Sequence, residues 1–153
     1  EIKCLYLHSM PRIMCFDYGT KRIGIAVTDN LQMIATGLCT EHPDKIEEFL
    51  QNYFKTETVE LFLIGLPKKL DNTINDVERY IKGFIKKLNS TFPHIPVARI
   101  DERYTSAIAQ QSMLQGGLKK NDRQNKALVD QISATIMLQN YLSQTHKNLN
   151  SIK

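Results

Sequence analysis

Four acidic residues in this chain stand where an acid is unusual. Asp17 closes the apolar run Ile13-Met14-Cys15-Phe16, Asp101 and Glu102 close Val97-Ala98-Arg99-Ile100, and Asp130 interrupts a strongly apolar stretch. A carboxylate at the lip of a buried element is tolerated only where water, a hydrogen-bond donor or a cation meets it. If such acids converge, repulsion forces one to hold a proton unless a divalent cation relieves it. Magnesium and manganese suit carboxylate oxygen and usually keep waters and substrate phosphates in their shells. Two such ions about 4 Å apart can clamp the attacking and leaving oxygens of an in-line phosphoryl displacement. The expected chemistry is therefore phosphodiester hydrolysis with water as nucleophile.

Each acid alone has a plainer explanation. Asp17 can cap a tight turn, Asp101 or Glu102 can pair with Arg103, and Asp130 can favour an early helical turn through the dipole. Strand alternation does not decide between Asp101 and Glu102. Asp130 weighs most, because Leu128, Val129, Ile132, Ile136 and Leu142 flank it while Ala134, Met137 and Tyr141 share its side, making that helix apolar almost all round. No other nucleophile is placed. His8, His42, His94 and His146 lie in a leader, beside prolines or in a polar tail, and Cys4, Cys15 and Cys39 show no metal-binding spacing and no nearby base.

The elements that must position these acids follow from periodicity. Residues 12–17, 22–28 and 32–38 read as three strands joined by short turns, an antiparallel meander. Helical spacing starts at Pro43 with Ile46, Phe49, Leu50 and Tyr53, followed by a strand over 59–66 ending in Gly65-Leu66-Pro67. A second helix carries Ile74, Val77, Ile81, Phe84, Ile85 and Leu88, with Asp71, Asn72 or Thr73 as cap. After the strand at 97–100, Thr105 or Ser106 can cap a helix that runs to about residue 115 and stops at Gly116-Gly117. Residues 119–126 read as a basic loop able to close over substrate, and 127–141 as a last helix. A meander followed by alternating strands and helices implies an α/β fold with a five-stranded mixed sheet. It excludes a simple dinucleotide-binding unit, because the first turn lacks the glycine spacing and opens onto a strand.

The chain has 153 residues, 42% of them hydrophobic and 24% charged, which suits one domain with a real core. Residues 1–10 read as a leader or upstream extension, 11–142 as the domain and 143–153 as a polar tail. The odd cysteine count fits free thiols and a cytoplasmic setting. No apolar run spans a bilayer, so no membrane partner is expected. The formal charge is +4 and the pI about 9.0, a mild excess that permits a polyanion. Lys21, Arg22, Lys68, Lys69 and Arg103 follow the turns that would border the acids, and Lys119, Lys120, Arg123 and Lys126 lie on the basic segment. Such residues neutralise phosphates and give salt-sensitive affinity with little sequence information.

Asp17-Tyr18-Gly19-Thr20-Lys21-Arg22-Ile23-Gly24, Gly65-Leu66-Pro67, Asp101-Glu102-Arg103-Tyr104-Thr105 and Val129-Asp130 with Ile132-Ser133-Ala134 occur in an order and spacing that resemble the YqgF/RuvX family. The likeness runs from about Pro11 to Tyr141. It implies a ribonuclease H-like fold and a magnesium- or manganese-dependent nuclease. The family is described both as Holliday junction resolvase-like and as maturing the 5′ end of pre-16S rRNA. By position, Asp17, Glu102 and Asp130 match its catalytic and metal-binding acids. Better-understood resolvases of the superfamily carry further acids where this chain has Gly65-Leu66-Pro67 and Ser133, which favours RNA over a junction as substrate.

The expected partners are structured RNA or branched DNA and a ribosome precursor, with the chain a monomer or weak dimer. Two alternatives remain beside the rRNA nuclease: a junction resolvase and a catalytically weak RNA- or ribosome-binding module. Asp17-Tyr18-Gly19-Thr20 also resembles the first phosphate loop of actin-like ATPases, but those enclose nucleotide between two such domains and this chain has length for one.

Overall fold

The apolar runs pair as one sheet. The computed structural model describes residues 10–67, 76–101 and 111–150, and the strands among them are β1 (Arg12–Tyr18), β2 (Ile23–Thr28), β3 (Ala35–Glu41), β4 (Val59–Leu66) and β5 (Val97–Asp101). Their order is β3-β2-β1-β4-β5. β1, β2 and β3 pair antiparallel, while β4 and β5 run parallel to β1. The expected mixed sheet is therefore present, with β1 at its centre, its acid-bearing end beside the ends of β4 and β5.

Two helices, α1 (Ile46–Tyr53) and α2 (Glu78–Thr91), cover one face. Their buried residues Ile46, Leu50, Ile81, Phe84 and Leu88 pack with Met14, Phe16, Ile25, Phe62 and Ile64 of the strands. Aromatic rings knit this layer: Phe54 meets Phe92 edge-on at 5.0 Å, and Phe16 meets Phe84 edge-on at 5.4 Å. Such pairs add about 0.5–1.5 kcal/mol beyond the area they bury.

The other face carries the long last helix, labelled α4 (Lys126–Asn150), preceded by the short α3 (Lys120–Gln124). Here the core is small and mostly aliphatic: Ile13, Cys15, Ala26 and Leu63 against Ala134, Met137, Leu138 and Leu142. Cys15 and Cys39 lie outside any disulfide, and burial pushes the Cys39 thiol up to about 11.

Three local expectations are corrected. β3 begins at Ala35, not at residue 32, because Asp29 organises the preceding residues as a loop. Its carboxylate accepts from the backbone N–H groups of Leu31, Met33 and Ile34, and Gln32 takes a φ of 53°. The Ile34 and Met33 bonds hold the Asp29 carboxyl below its usual range. The basic segment is not an open loop: residues 120–124 are helical, with the Arg123 N–H donating to the Lys119 carbonyl at 3.1 Å. Finally, α4 continues to Asn150, beyond the expected end near Tyr141. Asn125 caps its start by accepting from the N–H groups of Ala127 and Leu128. The leader at 1–9, the capping candidates Asp71, Asn72 and Thr73, and the caps Thr105 and Ser106 lie outside the described residues.

Candidate active site

Side chains alternate across a strand, so β1 sends Met14, Phe16 and Tyr18 to the aromatic layer and Ile13, Cys15 and Asp17 toward α4. Asp17 is thus the third residue of the α4-facing row, half-buried where that row reaches the rim. Directly across the antiparallel ladder it pairs with Gly24, a Cα separation of about 5 Å.

Gly24 explains how Asp130 arrives. A Cβ on Gly24 would lie 2.1 Å from the Asp130 carbonyl oxygen and 2.9 Å from the Gln131 nitrogen. Only a residue without a side chain lets the helix backbone press this closely onto the strand. Gly37 of β3 makes a second such allowance, its missing Cβ falling 2.8 Å from Gln131 Cγ. The start of α4 is therefore seated on the strand pair whose rim holds Asp17. Asp17 and the backbone of Asp130 thus lie on the same face and toward the same end of the sheet.

The axial rotation of α4 is fixed by its contacts with the edge strand. Thr40 Oγ1 donates to the Ala127 carbonyl, Gln131 and Thr135 lie against Gly37, and the Ala35 N–H donates to Gln139 Oε1. Residues 127, 131, 135 and 139 therefore line β3. At about 100° per residue, Asp130, Ser133 and Met137 occupy the opposite flank. Met137 accordingly packs in the cluster of Cys15 and Leu63.

The Asp130 carboxylate is not sunk in an apolar shell, as its neighbours in sequence suggest. It accepts a hydrogen bond from Arg22 Nε at 2.9 Å, with the two side chains 26% and 38% exposed. Arg22 follows the turn after Asp17, so the first hairpin supplies both an acid and the cation that balances Asp130. Periodicity could not reveal this pair.

Among the other expected site residues, Lys21, Lys119, Lys120 and Lys126 are exposed. Arg123 is half-buried, and its buried Nε has no hydrogen-bond partner among the described residues. Glu102, Lys68 and Arg103 lie outside the described residues. Within β5, alternation sends Ala98 and Ile100 to the α4 side, and Arg99 to the other side with Glu78. Asp101 follows Arg99 in that alternation, away from Asp17 and Asp130.

One partly buried ion pair was not anticipated. Arg99 Nη1 and Nη2 donate to the two oxygens of Glu78 at 2.9 Å each, and Nη2 also donates to the Gly65 carbonyl at 2.8 Å. The Arg99 hydrogen bonds hold the Glu78 carboxyl below its usual range. The pair ties the start of α2 to the end of β4, fixing the rim from the opposite face. The available signal was an arginine inside an otherwise apolar strand.

The donor set is all carboxylate oxygen at a rim bordered by cations, which suits a hard divalent ion and a polyanion. Among the described residues no three His, Cys, Asp or Glu side chains gather as a metal site; Asp17 and Asp130 are two, and Ser133 Oγ, one turn from Asp130, is buried without a partner.

The model of the RuvX family, described as Holliday junction resolvase, matches residues 11–144. This chain belongs to the RuvX family. A relative from Christiangramia forsetii, named "Putative pre-16S rRNA nuclease", is 53% identical over 133 residues, covering 87% of this chain and 98% of the relative. A relative of the same name from Bacteroides fragilis is 51% identical, covering 87% of this chain and 96% of its own length. Among solved structures, Thermus thermophilus RuvC in complex with a Holliday junction substrate superposes with a TM-score of 0.51 at 17% identity, over 89% of this chain and 96% of that one. The RuvX chain thus has the ribonuclease H-like fold that its motifs imply.

Proposed function

We propose that this RuvX chain is a divalent-metal-dependent nuclease that hydrolyses RNA phosphodiesters with water and processes the 5′ end of pre-16S rRNA. The observation that supports the proposal is the close seating of the Asp130 backbone on Gly24, the residue paired with Asp17 across the ladder. Asp17, Asp130 and, by its motif position, Glu102 would hold magnesium or manganese. When bound, the metal supplies charge neutralisation and an activated water. Arg22 has two roles open to it: balancing Asp130 and, being partly exposed, reaching a substrate phosphate. Lys21, Lys119, Lys120, Arg123 and Lys126, with Lys68 and Arg103, would supply phosphate contacts that hold the backbone without reading sequence.

The names of the relatives point to ribosomal RNA, and that is the substrate adopted here. That substrate would place the enzyme in the cytoplasm beside a ribosome precursor, and we take the chain to act as a monomer or weak dimer. No helix among the described residues is long and apolar enough to cross a membrane.

The Arg22–Asp130 pair favours one second reading, an RNA-binding module whose acids are balanced by protein cations rather than metal. The deciding experiment incubates purified protein with a pre-16S fragment and a four-way DNA junction, with and without magnesium. Metal-dependent cleavage of the RNA by wild type, lost in Asp17→Asn, supports the proposal. Salt-sensitive RNA binding without turnover supports the module, and preferential junction cleavage would reassign the substrate.

A further inference from the structure

The solvent face of α2 carries one sign of charge. Its acid, Glu78, is buried and taken up by Arg99, and Lys87 pairs with Glu47 at 2.9 Å. Arg79, Lys82 and Lys86 are exposed and in no ion pair among the described residues. Their three- and four-residue spacing sets them along one stripe of the helix, about 10 Å long at the helical rise. Gly83 lies within that stripe, and a Cβ built there would meet nothing within 4 Å. Glycine inside a helix is destabilising. No neighbour in the described structure requires this one, and it leaves the helix backbone bare to an approaching strand.

Tyr80 borders the stripe and is 49% exposed. The Arg79 guanidinium lies over its ring, 5.1 Å from the centroid, and Arg79 Nη2 donates to the Tyr80 hydroxyl at 3.2 Å. One turn on, the Phe84 ring lies 5.1 Å from that of Tyr18, the residue after Asp17. Burial, and after it the nearby Tyr80, pushes the Tyr18 phenol above its ordinary value. The aromatic layer thus reaches solvent close to the rim. The bonds from Arg99 to Glu78 and Gly65 hold the start of α2 at that end of the sheet.

We propose that the exposed face of α2 is a further RNA-binding surface: Arg79, Lys82 and Lys86 hold phosphates of the single-stranded segment leading to the acid site, and Tyr80 stacks one of its bases. This rests on the nuclease reading above and adds to it the path of the strand beside the cut. A row of cations without acids gains from a polyanion by releasing counterions. A tyrosine ring accepts any base, since each has a π-face, so the surface selects unpaired strand over sequence. Tyr80 is the one exposed large apolar residue among the described residues of α2, which leaves a partner protein little to bury. Like charges oppose a second copy face to face.

The test measures fluorescence anisotropy of a labelled pre-16S fragment, either with a single-stranded 5′ extension or trimmed of it, across a salt series. Wild type is compared with Tyr80→Ala, Tyr80→Phe and the double variant Lys82→Gln, Lys86→Gln, and wild-type cleavage is assayed in magnesium alongside. The substituted side chains are exposed, so all variants should melt with wild type. Tyr80→Ala is expected to bind the extended fragment about tenfold more weakly, the scale for loss of one base stack, at an unchanged salt slope, with Tyr80→Phe restoring affinity. The double variant should reduce the salt slope by about two phosphate contacts. On the trimmed fragment all four proteins should bind alike. Unchanged binding by Tyr80→Ala and the double variant, or equal losses on both fragments, would overturn the α2 surface while leaving the nuclease standing. Wild type that shows these binding differences but never cleaves would overturn the nuclease and keep the surface. Wild type that binds neither fragment would overturn both.

Discussion

Met14, Phe16, Phe62 and Ile64 go to one face of the sheet, while Cys15, Asp17, Leu63 and Gly65 alternate onto the other. The first set is large and apolar and meets two amphipathic helices through stacked and edge-on rings. The second diminishes toward the rim, ending in an aspartate on β1 and Gly24 on β2, so that one helix can lie close and bring an acid with it. Neighbouring residues of the same strands therefore serve different ends: bulk on one side holds the sheet in shape, and the lack of bulk on the other makes room for charge.

Substitutions on the two faces should separate stability from activity. Asp17→Asn is expected to lower cleavage of a pre-16S fragment by about 10⁴-fold, the scale for loss of a catalytic carboxylate, with an unchanged melting curve. Appreciable cleavage by that variant would remove Asp17 from the chemistry. Phe62→Ala should do the reverse. Phe62 is fully buried against Phe16, Phe54 and Phe92, and its truncation should cost about 3–5 kcal/mol in denaturant unfolding. Cleavage per folded molecule should persist.

Gly24→Ala joins the two behaviours. The new methyl would overlap the Asp130 carbonyl, so α4 must shift, at a cost of about 1–3 kcal/mol. Activity should fall further than the loss of folded protein explains; a variant as active and stable as wild type would show that the close seating of α4 is dispensable.

Arg99 and Glu78 brace the rim from the aromatic side. The Glu78 carboxyl is held below its usual range by Arg99. Its contribution to stability is therefore complete above the unfolded value of about 4.3 and disappears as pH falls through the lower folded value. Arg99→Met should cost about 2–3 kcal/mol near neutrality and flatten this part of the acid-side decline, as urea unfolding at a series of pH values would reveal. Arg22→Gln has the smallest expected effect. With Asp130 released, manganese should bind a few-fold more tightly, while the salt dependence of RNA binding should lose about one phosphate contact. Identical salt slopes would confine Arg22 to pairing with Asp130.

The sheet was legible because Ile13 to Phe16, Val59 to Leu66 and Val97 to Ile100 are apolar runs too short for helices and bounded by turns. The start of β3 was not, since Asp29 bonds to backbone groups as far on as Ile34, an interaction that composition does not encode. Asp17 and Asp130 stood out as acids among apolar neighbours, but their shared face depends on the Gly24 contact, visible only in three dimensions. Arg22 and Asp130 are 108 residues apart, so no local pattern links them. Taken alone, the apolar neighbours of Asp130 overstate its burial, because its counter-charge comes from the first hairpin. Arg99 stands out inside an apolar run, but its partner Glu78 lies 21 residues earlier, beyond any local pattern. Glu102 stays a motif-based assignment and lies outside the described residues.

The central claim is that Asp17 and Asp130 are gathered to hold a divalent cation. It is tested most directly by anomalous diffraction from crystals soaked in manganese chloride. The account predicts a peak within coordination distance of both carboxylates, with Arg22 withdrawn from Asp130. A well-ordered rim with no peak, or with manganese bound elsewhere while Arg22 keeps its bond to Asp130, would contradict it.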